Sequence, residues 1–285
     1  MADTLWLTRI APASPTAPPT LRAHTDGSLP TPTQHWEPIA DPFEQARLAD
    51  ADPWSLANEA PALDQPITLL DHRLLPPVAP SKIIGIGRNY AAHAAELGNE
   101  VPTSPLSFFK PPSSLLASGQ PLVLPRGYER IDMEAELVVV IGRRARSIAA
   151  ARAWDHVAGY LMGNDVSCRD LQRSDKQWTR AKGFDGFAPV SAFLRMVAPG
   201  TELPGDLRVQ GYLDDRPVQD AAAELMIFSI PTLIEHLSAC MTLEPGDLIF
   251  TGTPAGVSPL SPGQIVRVAG SHPTLHLSPV VNPIV

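Results

Sequence analysis

Asp132-Met133-Glu134-Ala135-Glu136 sets a carboxylate at every second position and runs directly into the apolar Leu137-Val138-Val139-Val140-Ile141. Side chains alternate faces along a strand, so Asp132, Glu134 and Glu136 point one way. Same-face neighbours sit roughly 7 Å apart. Two carboxylates at that spacing repel by roughly 2 kcal/mol at an effective dielectric near 20. A hard divalent cation, which takes oxygen ligands, offsets that repulsion. The plainer alternative is a solvated strand end, because charged residues are mostly exposed. Asp165 closes the apolar stretch 157–162 after Gly163-Asn164. It is either a third oxygen ligand held by a rigid element or a capping residue in a turn.

A second stretch, Asn89-Tyr90-Ala91-Ala92-His93-Ala94-Ala95-Glu96, has helical composition and ends at Gly98, a suitable residue just past a helix end. Positions three apart share a helix face, so Glu96 can orient His93 and raise its basicity. Such a pair serves general base catalysis, worth roughly 10²–10⁴-fold in rate; the alternative is a chance surface pair. Lys182 and Arg169 are candidates to bind a substrate carboxylate, against surface ion pairs. Thr251-Gly252-Thr253-Pro254-Ala255-Gly256 follows a short apolar stretch, and its N–H groups with the Thr253 hydroxyl can receive an anionic oxygen. It lacks the Gly-Lys-Ser/Thr ending of a Walker loop, and Gly85-Ile86-Gly87 is not a dinucleotide fingerprint. No Cys or His residues have zinc-site spacing. No His lies in the motif around Cys168, which argues against a thiol nucleophile.

The elements that must carry these residues are short. Residues 82–86, 107–110, 122–124, 157–162 and 248–250 read as strands, and 231–240 as a helix with Pro231 in its first turn. Ser147 is placed to N-cap a helix over 148–156. Many short strands with few helices predict a β-rich α+β fold. Residues 1–80 are punctuated by proline; 6–10 and 67–70 suggest strands, 11–20 an extended Pro/Ala/Thr stretch, and 76–80 a linker into residues 81–285. The 285-residue chain has a net charge of −8 and no long basic run, which argues against nucleic acid and anionic membrane as partners. No apolar run approaches the ~20 residues of a membrane span, and no signal peptide is evident. Two distant cysteines fit a reducing, cytoplasmic setting.

Taken together these segments resemble the fumarylacetoacetate hydrolase family. The matching motifs, in order, are Gly87-Arg88-Asn89-Tyr90 with His93 and Glu96, Phe109-Lys110-Pro111, Asp132 to Glu136, Asn164-Asp165-Val166-Ser167 with Arg169-Asp170-Leu171-Gln172, Gln177-Trp178 with Lys182 and Phe184-Asp185, and Leu243-Glu244-Pro245-Gly246-Asp247 with Thr251 to Val257. The resemblance implies a mixed β-roll or sandwich with few short helices, assembled as a homodimer, with residues 1–80 as a small variable N-terminal region. It implies Glu134, Glu136 and Asp165 as ligands of Mg²⁺, or of Ca²⁺ or Mn²⁺. It implies His93 and Glu96 as a catalytic dyad on a short lid helix, and Lys182 as a catalytic contact. Thr253, Arg169 and Gln172 are implied near a 2-oxo acid. The expected activity is C–C bond hydrolysis, tautomerisation or decarboxylation of a 2-oxo or 2-hydroxydienoic acid through an enolate, in aromatic-compound catabolism. The alternatives are a metal-binding structural homologue with little turnover, or an oxaloacetate decarboxylase or tautomerase.

Overall fold

The computed structural model describes residues 4–12, 18–49 and 51–285. Part of the Pro/Ala/Thr stretch, residues 13–17, lies outside them. The fold is α+β and rich in strand, as the pattern predicts. Its frame is one twelve-stranded sheet, whose main path runs Glu37–Ile39, Thr20–Thr25, Thr4–Ile10, Leu194–Met196, Val157–Asn164, Ala135–Ile141, Leu248–Phe250, Ile83–Gly87, Leu106–Lys110. Pairing along this path is antiparallel except between Leu248–Phe250 and Ile83–Gly87. A four-stranded sheet, Arg216–Ala222, Arg208–Leu213, Ile265–Ser271 and Val280–Pro283, covers one side. A three-stranded sheet joins Ser167–Cys168, Ile131–Met133 and Ser258–Pro259.

The apolar run after Glu136 is buried on both faces, which is why it reads as a continuous hydrophobic stretch rather than an alternating one. Leu137, Val139 and Ile141 pack into a core with Val209, Val266, Val268 and the helix residues Leu233 and Leu237. Val138 and Val140 pack into a second core with Phe43, Ala57, Leu161 and Leu194. The helix Ile230–Cys240 starts at Ser229, whose hydroxyl accepts the Thr232 N–H, and carries Pro231 in its first turn as expected. Residues 4–10, a longer strand than the 6–10 foreseen, pair with both Thr20–Thr25 and Leu194–Met196.

Three local expectations fail for identifiable reasons. Ser147 does not cap a helix. It sits at φ 52° and donates its N–H to the Ser238 carbonyl at 2.8 Å. The Ser238 hydroxyl accepts the Ile148 N–H, so a neighbouring helix supplies the partners and only a 3₁₀ helix, Ala150–His156, follows. Residues 67–70 form no strand; Ile67 makes a single bridge to Trp36. Residues 122–124 likewise make only one bridge, Leu122 to Ile284. No helix among the described residues is long and apolar enough to cross a membrane.

Candidate active site

Glu134 occupies the break between the strands Ile131–Met133 and Ala135–Ile141. Its N–H donates to Asn164 Oδ1 at 2.9 Å, and its carbonyl accepts the Asp165 N–H at 2.9 Å. Adjacent strand ends are thereby locked together, and Glu134, Glu136 and Asp165 offer carboxylate oxygens all within 4.8 Å of one another. All three are buried. The alternation along 132–136 holds in part across the break: Asp132 and Glu134 reach the same guanidinium, that of Arg169, at 2.8 and 2.7 Å.

Three buried cations surround these acids. Arg169 also donates to Gln172 Oε1 at 2.6 Å. Lys182 Nζ bridges Glu134 Oε2 at 2.6 Å and Asp165 Oδ2 at 2.7 Å. Lys110 Nζ donates to Asp165 Oδ1 at 2.6 Å and to the Lys182 carbonyl. Burial works against ionised Glu134, but Lys182 and Arg169 outweigh it and hold this carboxyl well below the usual carboxylate range. Lys182 is raised in turn, because Asp165 and Glu134 overcome its desolvation. Lys110 is lowered, its burial exceeding the pull of Asp165.

Glu136 is different. It accepts the Gly252 N–H at 2.8 Å and has no cationic partner among the described residues. Burial, then the charges of Asp165 and Glu134, push its carboxyl well above the ordinary range. Counting the buried groups, four carboxylates (Asp132, Glu134, Glu136, Asp165) face three cations (Lys110, Arg169, Lys182). An all-oxygen donor set with one carboxylate left uncompensated fits a hard divalent cation.

On the far wall, the helix Ala91–Glu96 presents His93, buried, with Nδ1 3.4 Å from Glu96 Oε2. Glu96 is itself held by the Gly256 N–H, 3.1 Å from each carboxylate oxygen. The helix ends as expected, with Gly98 at φ 66°. Gly252 is required where it stands. Its φ is 102°, and a Cβ there would lie 2.6 Å from that of Asn89. His93, Glu134, Glu136, Arg169, Gln172, Lys182 and Thr253 line one cleft of about 350 Å³. Glu96 stands behind His93 and is absent from that lining.

The structure refines three expectations. Arg169 and Lys182 are neither surface pairs nor free anion receptors; both are buried counter-ions of the acidic cluster. The Thr253 hydroxyl is not open to an anion. It donates to the Ala135 carbonyl at 2.9 Å and accepts from Gln219 Nε2 at 2.8 Å. What Thr253 offers is its backbone N–H, which has no partner among the described residues. Cys168 is buried, and burial raises its thiol, so it is no thiolate nucleophile.

Two residues went without a role in the sequence. Lys110 neutralises Asp165, and only the fold brings it across 55 positions. Gln219, on a strand of the outer sheet, accepts the Ala135 N–H at 2.9 Å and donates to Thr253 and Pro254. It ties the acidic strand to the Thr253 loop, and no local pattern marks it.

Known proteins resemble this chain in sequence and in fold. The family model for the fumarylacetoacetate (FAA) hydrolase C-terminal region matches residues 82–281. A mitochondrial oxaloacetate tautomerase of Oryza sativa subsp. japonica is 44% identical over 196 residues, 66% of this chain and 84% of that protein. A mitochondrial oxaloacetate decarboxylase of Dictyostelium discoideum is 42% identical over 193 residues, 65% of this chain and 87% of that protein. The crystal structure of the 2-hydroxyhepta-2,4-diene-1,7-dioate isomerase of Mycobacterium marinum superposes with a TM-score of 0.78 at 35% identity, covering 99% of this chain and 98% of that one. The family match spans the motifs that carry the acidic cluster and the His93 helix, and the chain belongs to the fumarylacetoacetate hydrolase family.

Proposed function

We propose that this protein catalyses metal-dependent proton transfer on 2-oxo acids, interconverting enol and keto forms or 2-hydroxydienoic and 2-oxo-enoic forms. The observation that carries this reading is that His93, buried and faced by Glu96, lines the same cleft as Glu134 and Glu136 of the all-oxygen acidic triad. Its relatives are named a tautomerase, a decarboxylase and an isomerase, and those three reaction classes on a 2-oxo acid have the enolate in common. Mg²⁺, Ca²⁺ or Mn²⁺ held by Glu134, Glu136 and Asp165 would supply Lewis-acid stabilisation of the negative charge that develops on the 2-oxo oxygen.

This chain's own residues do the rest. Glu96 faces His93 Nδ1, which leaves Nε2 as the atom that takes or returns the proton. Gly256 keeps Glu96 in position through its N–H. Arg169 and Lys110 hold Glu134 and Asp165 in register. Lys182 spends two of its three N–H donors on Glu134 and Asp165 and turns the third to the incoming carboxylate, and the Thr253 N–H donates to one of that carboxylate's oxygens. The substrate's tail decides the outcome. With a distal carbonyl, the same base acting on water gives C–C hydrolysis; with a β-carboxylate, CO₂ is lost. Products of aromatic ring cleavage have the required 2-oxo or 2-hydroxydienoic head. A purely structural ion has no use for His93 beside Glu96.

The test follows the ultraviolet decay of enol-oxaloacetate after chelation and dialysis. The reading expects no acceleration until Mg²⁺ or Mn²⁺ is restored. Equal acceleration by metal-free and metal-loaded protein would overturn it.

A further inference from the structure

The cleft carries more positive charge than the head of a 2-oxo acid needs. Five cations line it: Arg88, Arg130, Arg169, Arg173 and Lys182. Four have carboxylate partners. Arg169 and Lys182 serve the acidic cluster, Arg130 pairs with Asp132, and Arg173 pairs with Asp170. Arg88 has no carboxylate partner among the described residues; its guanidinium lies over Trp178, 6.0 Å from the ring centroid.

Arg88 is held, not loose. Its backbone is left-handed, at φ 57°, a conformation non-glycine residues adopt rarely and retain at functional positions. Trp178 is fixed in turn by an edge contact with Phe108, at 5.4 Å between centroids. The indole also fills the space above Gly87, where a Cβ would meet it at 2.7 Å. Gly87 admits the indole, and the indole carries the guanidinium at the limit of cation–π range.

We propose that Arg88 is a specificity-determining residue that receives a second carboxylate at the far end of the substrate. The protein then prefers 2-oxo dicarboxylic acids to monoacids of the same length. This rests on the 2-oxo acid reading and names the other end of that substrate. A cleft of about 350 Å³ equals roughly a dozen waters at ~30 Å³ each, which leaves room for a chain beyond a three-carbon head. A guanidinium presents a planar fork of donors that matches a carboxylate with two parallel hydrogen bonds.

Calorimetry on the Mg²⁺-loaded protein tests this with probes that undergo no net conversion. Oxalate reports the head site alone. 2-Oxoglutarate is compared with 2-oxopentanoate, and 2-oxoadipate with 2-oxohexanoate, so that each pair differs only in the distal carboxylate. The wild type should bind at least one diacid about 10- to 100-fold tighter than its monoacid, the range of a charge-assisted hydrogen bond. Arg88→Gln should abolish that ratio while oxalate and the monoacids bind within about twofold of wild type. Arg88→Lys should restore part of it, since the charge returns without the fork. Equal affinity within both pairs in the wild type would overturn the assignment. So would an Arg88→Gln loss shared equally by diacid, monoacid and oxalate. Failure of oxalate and both monoacids to bind the wild type would instead overturn the 2-oxo acid reading, and this inference with it.

Discussion

Lys182 Nζ stands 2.6 Å from Glu134 Oε2, deep in the cleft, and the same ammonium lies 2.7 Å from Asp165 Oδ2. One side chain is thus counter-ion to two of the three proposed metal ligands. Removing one member of a buried ion pair leaves the other charge uncompensated, at a cost of about 3–5 kcal/mol. Lys182→Met should therefore destabilise the metal-free protein by about that much in urea unfolding. Saturating Mg²⁺ should recover much of the loss, because a dication compensates the same two carboxylates. A Lys182→Met protein as stable as wild type without metal would contradict the pairing.

Glu136 sets a pH dependence of opposite sign to that of a salt-bridged acid. Its carboxyl is raised by burial and by Asp165 and Glu134. The folded protein therefore holds a proton that the unfolded chain, near pKa ~4.3, has released. Stability of the metal-free protein should fall as pH rises from about 4.3 through the folded-state pKa. Glu136→Gln, an uncharged mimic of the protonated acid, should flatten that slope, raise the melting temperature at pH 8, and lose divalent binding. Thermal scans across pH with EDTA check the slope, and calorimetry with Mg²⁺ checks the binding. A metal-free stability that rises through this window in wild type relative to Glu136→Gln would contradict the assignment.

Gln219 makes three buried hydrogen bonds between the acidic strand and the Thr253 loop. Gln219→Ala leaves the Ala135 N–H without its partner, and one such orphaned group costs about 1–3 kcal/mol. Thermal unfolding should report a loss of that size. Oxalate affinity should fall with it, since the loop that presents the Thr253 N–H is released. A change within error in both measurements would mean the tie is inert.

Much of the site was legible because its spacing is local. Three acids at period two in an otherwise apolar strand, and a His–Glu pair three residues apart, mark themselves. Glu134, Glu136 and Asp165 do converge, and His93 and Glu96 do meet. What the sequence hides is long-range. Lys110 finds Asp165, and Gln219 finds Ala135, through sheet topology that no periodicity encodes. The Thr253 hydroxyl reads as a free anion receptor in the sequence because its two partners, Gln219 and Ala135, lie on strands far away along the chain. Ser147 has the residue type of a cap but does not act as one, because a cap preference yields when a neighbouring helix supplies the hydrogen bonds first. The strands of the N-terminal 80 residues became clear only through their partners, since Thr4–Ile10 is defined by Thr20–Thr25 on one side and Leu194–Met196 on the other.

The central claim is that His93 moves a proton at the carbon next to a 2-oxo group. Proton NMR of 2-oxobutyrate in D₂O, with Mg²⁺-loaded protein, reads that step without requiring any later bond to break. The account predicts that wild type washes deuterium into C3. His93→Gln, with Mg²⁺ affinity unchanged by calorimetry, should do so about 10²-fold or more slowly, the scale of a lost general base. Exchange by His93→Gln at the wild-type rate would contradict the account.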